Sequence, residues 1–233
     1  SDDPAGITYD FNLTTAGAVT AELDNLAPGQ SGTLTFDVTI DGGTPPGAIE
    51  NTANFSYDDG TGTIVGDPTP INTNTAIVTV GPNLGVTIAD GAESPIGSVN
   101  QGGTATYTNT VTNTGNATDS YDITLTDDVL DASNSPFPSG TSFILFKPDG
   151  VTPLLDTDGN GVPDTGPIAD GATFDVVVKA NLPSNASGGP FQVNVNATST
   201  TDNTVTDDGL DVLTAITDNT VDLTVNDDIN NGN

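Results

Sequence analysis

The chain has 233 residues, 32 of them acidic and only two basic, which gives a formal net charge of −30, and it has no Cys, His, Met or Trp. This charge excludes nucleic acid as a partner, because almost nothing in the chain can neutralise phosphates. The missing residue types exclude disulfides, thiol chemistry and the usual catalytic triads, and no apolar run approaches the ~20 residues of a membrane span, so we expect no membrane insertion.

An abundance of Thr, Asn, Asp and Gly predicts strands and turns from the first residues onward. The first 81 residues are predicted to form a β module that lacks its front strands. Its predicted elements are a strand over 6–13, an Ala-Pro-Gly turn at 26–29, and strands over 34–38, 45–56 and 74–80. The missing strands either lie upstream in a longer polypeptide or are donated by another chain, since an open sheet edge accepts an added strand.

Residues 82–226 are predicted to form a complete module that repeats the first one in the same order. The matching elements are a turn at 168–171 and strands over 173–176, 187–198 and 219–225. Its extra front half consists of predicted strands over 84–88, 104–113 and 120–126. We predict a loop over 207–214 and a linker to a next module over 227–233. The Pro-containing junction at 80–84 predicts a semi-rigid rod.

One segment has the spacing of a calcium-binding loop. Residues 156–164 read Asp-Thr-Asp-Gly-Asn-Gly-Val-Pro-Asp, and such a loop places hard oxygen ligands at alternate positions around the ion. The predicted ligands are the side chains of Asp156, Asp158, Asn160 and Asp164 and the carbonyl of Val162. Pro167 stands where a bidentate Glu would complete an EF-hand loop. A further carboxylate must therefore come from elsewhere, or water completes the coordination; the alternative is a plain Asp/Gly turn.

Other charged residues give weaker signals. The acidic pairs at 58–59, 127–128, 207–208 and 227–228 are typical of solvated turns, with metal binding as the alternative. Lys179 follows three valines, so it either faces solvent or forms an isopeptide bond with an Asn side chain.

Two motifs carry a family resemblance. Residues 103–107 read Gly-Thr-Ala-Thr-Tyr, and residues 111–117 read Val-Thr-Asn-Thr-Gly-Asn-Ala, where Gly115 and Asn116 are predicted to tolerate positive φ in a tight turn. With the turn at 26–29, these motifs resemble the DUF11 repeat of bacterial and archaeal surface proteins. The resemblance covers nearly all of residues 1–226, except for the missing front half. It implies surface-layer, sheath, filament or adhesin proteins, and it does not imply an activity.

The sequence therefore predicts an all-β protein of tandem immunoglobulin-like Greek-key β-sandwiches with antiparallel sheets. The function we predict is that of a non-enzymatic structural repeat, extracellular or on the cell surface, with calcium as its cofactor and copies of itself as partners. The alternative is an adhesin module that binds a glycan or cell-surface ligand through its loops. The loop over 127–142, with Ser135-Pro136-Phe137-Pro138, is the candidate contact in that case.

Overall fold

The structure is a computed structural model. It describes residues 8–15, 18–24, 28–32, 35–61, 63–66, 69–91, 94–127 and 131–218. The described residues are all-β: they contain no helix, and so none long and apolar enough to cross a membrane. The predicted strand over 219–225 and the predicted linker over 227–233 lie outside the described residues.

Contacts along the chain divide it into two units, Ser1–Asp41 and Gly42–Asn233. In the described part of the first unit, β1 (Thr8–Thr15) pairs antiparallel with β2 (Ala18–Asp24). Residues 35–38, which belong to the strand predicted over 34–38, pair with no other described segment and are exposed. The predicted module boundary between residues 81 and 82 stays a prediction.

The second unit begins with short antiparallel pairs. Its first strands are β3 (Gly47–Phe55), β4 (Tyr57–Asp58), β5 (Ile64–Val65) and β6 (Ile71–Val80). β3 pairs only with β6, and β4 only with β5, among the described residues. We call the β3–β6 pair the ribbon. All nine residues of β3 are exposed, so the ribbon has no covered face in the described part of the chain.

The remaining strands form a larger body with two sheets. They are β7 (Val86–Ala89), β8 (Ile96–Asn100), β9 (Thr104–Asn113), β10 (Tyr121–Thr126), β11 (Ser135–Pro136), β12 (Ser142–Phe146), β13 (Thr173–Asn181), β14 (Phe191–Ser199) and β15 (Thr206–Thr217). One sheet has the strand order β12-β13-β9-β7 and is antiparallel throughout. The other has the order β10-β14-β15-β8, where β8 joins β15 in parallel and β11 joins β14 in parallel.

Both sheets contribute to one apolar core. Alternate residues of β9 are buried, as the period of a strand with one buried face requires. Tyr107 and Tyr121 are fully buried. Tyr121 donates its hydroxyl hydrogen to the carbonyl of Gly85 at 2.9 Å. The largest buried side chains therefore stand between the sheets.

One predicted loop is a strand. Residues 207–214, predicted as a loop because of their Asp-Asp-Gly start, belong to β15. The two acids are accepted in the strand because each receives hydrogen bonds. The backbone N–H of Ile88 donates to Asp207 Oδ2 at 2.9 Å, and Asn196 Nδ2 donates to Asp208 Oδ1 at 2.6 Å.

Candidate metal centre

Residues 156–164, which we call the acidic loop, run up to the free edge of β10. The backbone N–H of Ile123 donates to the carbonyl of Pro163 at 2.8 Å, and that of Thr165 donates to the carbonyl of Tyr121 at 3.0 Å. Asp122 and Asp164 face each other in an antiparallel bridge. An unpaired edge strand invites pairing with other chains, and here the end of the acidic loop covers that edge.

The acidic loop bends around Asp156. Its carboxylate accepts hydrogen bonds from the backbone N–H groups of Gly159, at 2.6 Å, and Gly161, at 2.8 Å. Both glycines have positive φ, +83° and +94°, which a residue with a side chain rarely adopts. These hydrogen bonds, that of Gly161 first, hold the pKa of Asp156 below its usual value. Asp156 is therefore ionised while it shapes the turn.

Three carboxylates converge where the acidic loop meets β10. Asp122, Asp158 and Asp164 each offer an oxygen, and these oxygens lie within 4.8 Å of one another. Asp164 is buried, Asp122 is half-buried and Asp158 is exposed. Such a group can hold a metal ion, and oxygen-only ligands suit the hard cations Ca²⁺ and Mg²⁺.

Asn160 connects the acidic loop to the strand. Its Nδ2 donates to Asp122 Oδ2 at 2.8 Å and to Asp158 Oδ2 at 3.2 Å, and its Oδ1 accepts the backbone N–H of Val162 at 2.8 Å. One amide thus links carboxylates from two elements. A carboxylate oxygen has more than one lone pair, so these hydrogen bonds leave capacity for a cation.

Asp122 has the least favourable electrostatic environment of the group. Burial raises its pKa, the hydrogen bond from Asn160 opposes that rise, and the charges of Asp158, Asp164 and Asp156 add to it. In addition, Asp122 Oδ1 is buried without a hydrogen-bond partner. A bound cation would relieve both the charge repulsion and the missing contact, because it supplies opposite charge and the Asp122 Oδ1 atom could bind to it.

Asp164 differs from Asp122 because its carboxylate accepts several hydrogen bonds from the protein. Burial raises its pKa, but hydrogen bonds from Thr157 and Gly166 outweigh burial and hold the pKa below its usual value. Thr157 donates through Oγ1 at 2.6 Å and through its backbone N–H at 2.5 Å, and the backbone N–H of Gly166 donates at 2.7 Å. Asp164 is therefore a fixed, ionised anchor.

The structure brings together part of the predicted ligand set and adds one residue. Asp158 and Asp164 belong to the cluster, while Asp156, Asn160 and Val162 lie in the same loop and form the hydrogen bonds described above. Asp122 was not predicted. The missing twelfth-position ligand left either another carboxylate or water to complete the coordination, and the pairing of Asp122 with Asp164 identifies which carboxylate lies nearby.

Among the other charged candidates, the pair at 58–59 and Lys179 form structural contacts. Asp58 accepts the backbone N–H of Gly60 at 2.8 Å, and Asp59 accepts that of Thr61 at 2.9 Å, so both stabilise their own turn. Lys179 places its Nζ 4.9 Å from the centre of the Phe146 ring, a cation–π contact. The acidic pair at 227–228 and residue 128 lie outside the described residues.

The sequence matches no protein-family profile and no curated protein. The solved structures that match the chain include two of low similarity. A family 123 glycoside hydrolase from Clostridium perfringens, studied for glycolipid glycan hydrolysis, has a TM-score of 0.32 at 12% identity, over 56% of this chain and 27% of that one. The CupB6 tip adhesin from Pseudomonas aeruginosa has a TM-score of 0.32 at 10% identity, over 84% of this chain and 56% of that one. Likeness at this level carries neither family nor activity across.

Proposed function

We propose that this chain is a non-enzymatic structural segment of an extracellular surface protein, which forms a filament, sheath or surface layer and is stiffened by Ca²⁺. The observation that carries the proposal is the position of Asp122, on strand β10, beside Asp158 and Asp164 of the acidic loop. An ion bound there bridges a loop and a sheet edge. The resemblance to DUF11 repeats supports the same reading.

Calcium is the cation that this site suits best. Ca²⁺ accepts six to eight oxygen ligands in flexible geometry, whereas Mg²⁺ demands a near-ideal octahedron and retains its water. Here the ligands come from a turn-rich loop and a strand, so their spacing is not fixed by one rigid element. Asp122, Asp158 and Asp164 supply charge, and the carbonyl of Val162 and water complete the shell. The formal charge of −30 also favours a divalent cation over Na⁺.

Binding would stiffen the module by holding the acidic loop against β10. The loop reaches the strand through Pro163 and Thr165, directly beside Asp164. Without an ion, the carboxylates repel one another at this contact. Any ligand that binds only the folded state stabilises that state. Ca²⁺ would therefore fix the acidic loop on the β10 edge of the five-stranded sheet.

The proposed module is an immunoglobulin-like Greek-key sandwich. Consecutive strands β9 and β10 belong to different sheets, β9 pairs with the distant β13, and β10 pairs with the distant β14. Residues of both sheets share the same core, among them Tyr107 of β9, Ile123 of β10 and Val195 of β14. Two sheets that bury one face each against the other form a sandwich core.

The ribbon supports association with further copies of the chain. Cross-strand pairing places Ile49 opposite Val78 and Phe55 opposite Ile71, on the face that alternates with Glu50. These four apolar side chains are 38%, 55%, 47% and 36% exposed, respectively. We propose that strands of another copy, by strand donation or by lateral packing, cover this face in the assembled material.

The burial of one aromatic residue supports the proposed structural role over the adhesin alternative. The loop considered for ligand contact contains Phe137, which is only 8% exposed. Its ring packs against Phe143, with centroids 5.3 Å apart, and against Phe191, at 5.9 Å. The aromatic residue that could contact a sugar is therefore part of the core.

Assembly in the presence of Ca²⁺ tests the proposal. Purified chain is examined by light scattering and negative-stain electron microscopy with Ca²⁺, with Mg²⁺, and with NaCl at the same ionic strength. We expect regular filaments or sheets with Ca²⁺ alone. Protein that stays dispersed with Ca²⁺ but binds cells or sugars would instead support the adhesin function.

A further inference from the structure

The turn at 113–116, which we call the junction turn, lies where the ribbon joins the body. Residues 83–85, which follow the ribbon, run beside it. The backbone N–H of Thr114 donates to the carbonyl of Gly85 at 3.0 Å, and that of Asn116 donates to the carbonyl of Asn83 at 2.9 Å. The chain that leaves the ribbon is thus paired with the junction turn of the body.

Asn116 extends this pairing through its side chain, which is 5% exposed. Its Oδ1 accepts the backbone N–H of Asn83 at 2.7 Å. Its Nδ2 donates to the carbonyl of Thr44 at 2.9 Å and to the carbonyl of Gly81 at 3.3 Å. Thr44 precedes β3 and Gly81 follows β6, and Gly47 pairs with Val80, so one amide group contacts both strands of the ribbon at the same end.

Gly85 and Gly115 lie where residues 83–85 and the junction turn approach each other closely. Gly115 was expected at positive φ, but it is not among the glycines with positive φ. Instead, a Cβ at Gly115 would lie 2.5 Å from the carbonyl oxygen of Asn83, and a Cβ at Gly85 would lie 2.5 Å from Thr114 Oγ1. A Cβ at Gly115 would overlap with backbone, so the two segments approach this closely only because residue 115 is a glycine, whereas a Cβ at Gly85 would require the Thr114 side chain to move.

Asn113 shapes the junction turn from the core side. It is fully buried, its Oδ1 accepts the backbone N–H of Gly115 at 2.9 Å, and its Nδ2 donates to the carbonyls of Ala117 and Ile168. A buried side chain with all of its hydrogen bonds made is rigid. Asn113 therefore fixes the junction turn, and the junction turn presents Asn116.

We infer that the junction turn is a binding site for the end of the preceding module in the same chain, and that Asn116 recognises this end only through backbone atoms, those of residues 44 and 81 and of residue 83 in the connection. The inference rests on the proposed tandem arrangement of modules and adds the site that fixes their relative orientation. Because the contacted atoms are the carbonyls of residues 44 and 81 and the backbone of residue 83, the site accepts preceding modules of different sequence.

Spin-label distances in the full chain test this inference. The chain has no Cys, so the spin labels attach only to one introduced pair of Cys residues. These replace Asn74 in β6 and Asp170 in the body, which are both exposed. Double electron–electron resonance on this labelled chain should show one narrow distance peak. Asn116→Ala should broaden the peak, and Asn116→Asp should broaden it further, because a carboxylate cannot donate and repels both carbonyls.

Matched variants separate backbone from side-chain recognition. Thr44→Ala and Gly81→Ala keep the carbonyls, and a Cβ at Gly81 meets nothing within 4 Å, so both should keep the narrow peak. Gly115→Ala should broaden it, because its Cβ meets Asn83. Circular dichroism checks that each variant retains its β structure.

Two results would overturn the inference: a narrow peak in both Asn116 variants, or broadening in Thr44→Ala and Gly81→Ala equal to that in Asn116→Ala. The labels report on an isolated chain without added cation. A failure of Ca²⁺-driven assembly would therefore leave this readout unchanged, so the two proposals fail separately.

Discussion

Replacement of Asp122 by Asn should raise the melting temperature of the calcium-free protein and lower that of the calcium-loaded protein, each relative to the wild type. Asn keeps the shape of the side chain and can still accept the hydrogen bond from Asn160, but it removes one of the three clustered carboxylates. Burial and the neighbouring acids raise the pKa of Asp122 in the folded state. The stabilisation from such a group is present below its unfolded-state pKa and is lost as pH rises through the folded-state pKa. Near pH 7 and without Ca²⁺, the variant should therefore unfold at a higher temperature than the wild type.

With Ca²⁺ the order should invert. At a free Ca²⁺ concentration 100 times the dissociation constant, binding to the folded state adds about 2.7 kcal/mol. If loss of the carboxylate weakens binding about 100-fold, the same Ca²⁺ adds about 0.4 kcal/mol. For a unit of about this size, each kcal/mol shifts the melting midpoint by roughly 2–4 °C. We therefore expect Ca²⁺ to raise the midpoint by about 5–11 °C in the wild type and about 1–2 °C in the variant.

Thermal unfolding followed by circular dichroism measures this prediction, with Ca²⁺, with Mg²⁺, and with NaCl at matched ionic strength to account for screening. Asp170→Asn is the control, because it removes the same charge from an exposed residue outside the cluster. Equal Ca²⁺ shifts in wild type and Asp122→Asn would refute the reasoning. So would a Ca²⁺ shift that NaCl reproduces.

Three further changes should have defined effects. Burial, with a contribution from the charge of Asp119, raises the pKa of Tyr121 to about 12. The free energy of unfolding should therefore fall as pH rises from about 10 through 12. Tyr121→Phe should lessen that fall, as measured by unfolding at alkaline pH. Asp119, 3% exposed, accepts the Ser199 hydroxyl at 2.6 Å, so Asp119→Ala should cost about 3 kcal/mol in urea unfolding. Phe137→Ala should cost about 3–5 kcal/mol, because the ring packs on Phe191 in the core.

Matched residues control these measurements. Asp202→Ala, at an exposed turn, and Phe36→Ala, at a residue 45% exposed, should each cost less than the buried counterpart. Unfolding curves of Asp119→Ala and Phe137→Ala that coincide with these controls would contradict the packing described above. An alkaline transition that is the same in Tyr121→Phe as in the wild type would show that Tyr121 does not contribute to it.

Alternation in the sequence predicted the strands that have one buried face. The predicted segments 104–113 and 120–126 nearly coincide with β9 and β10, because apolar and Thr residues alternate there. β15 was missed because Asp207 and Asp208 resemble a turn. Their acceptance in a strand depends on donors from β7 and β14, the neighbouring strands in space, and local sequence does not reveal those neighbours.

For the metal centre too, the sequence predicted the residues that are close together along the chain and not the distant one. The spacing within 156–164 identified the acidic loop, because its ligands are close in sequence. Asp122 alternates with the buried Tyr121 and Ile123, so the sequence shows only that it faces away from the core. Its role depends on the register that sets it opposite Asp164. The sequence did not predict the role of Asn116 either, because its hydrogen-bond partners are 33 to 72 residues away along the chain.

The central claim is that one Ca²⁺ ion joins the acidic loop to β10. Amide chemical shifts recorded by NMR during a Ca²⁺ titration test it directly, because the amides of Gly159, Gly161 and Ile123 report on the loop and the strand separately. We predict that all three shift together and saturate with one dissociation constant. Loop amides that shift while Ile123 stays unchanged, or unsaturated shifts at acidic residues throughout the chain, would contradict the claim.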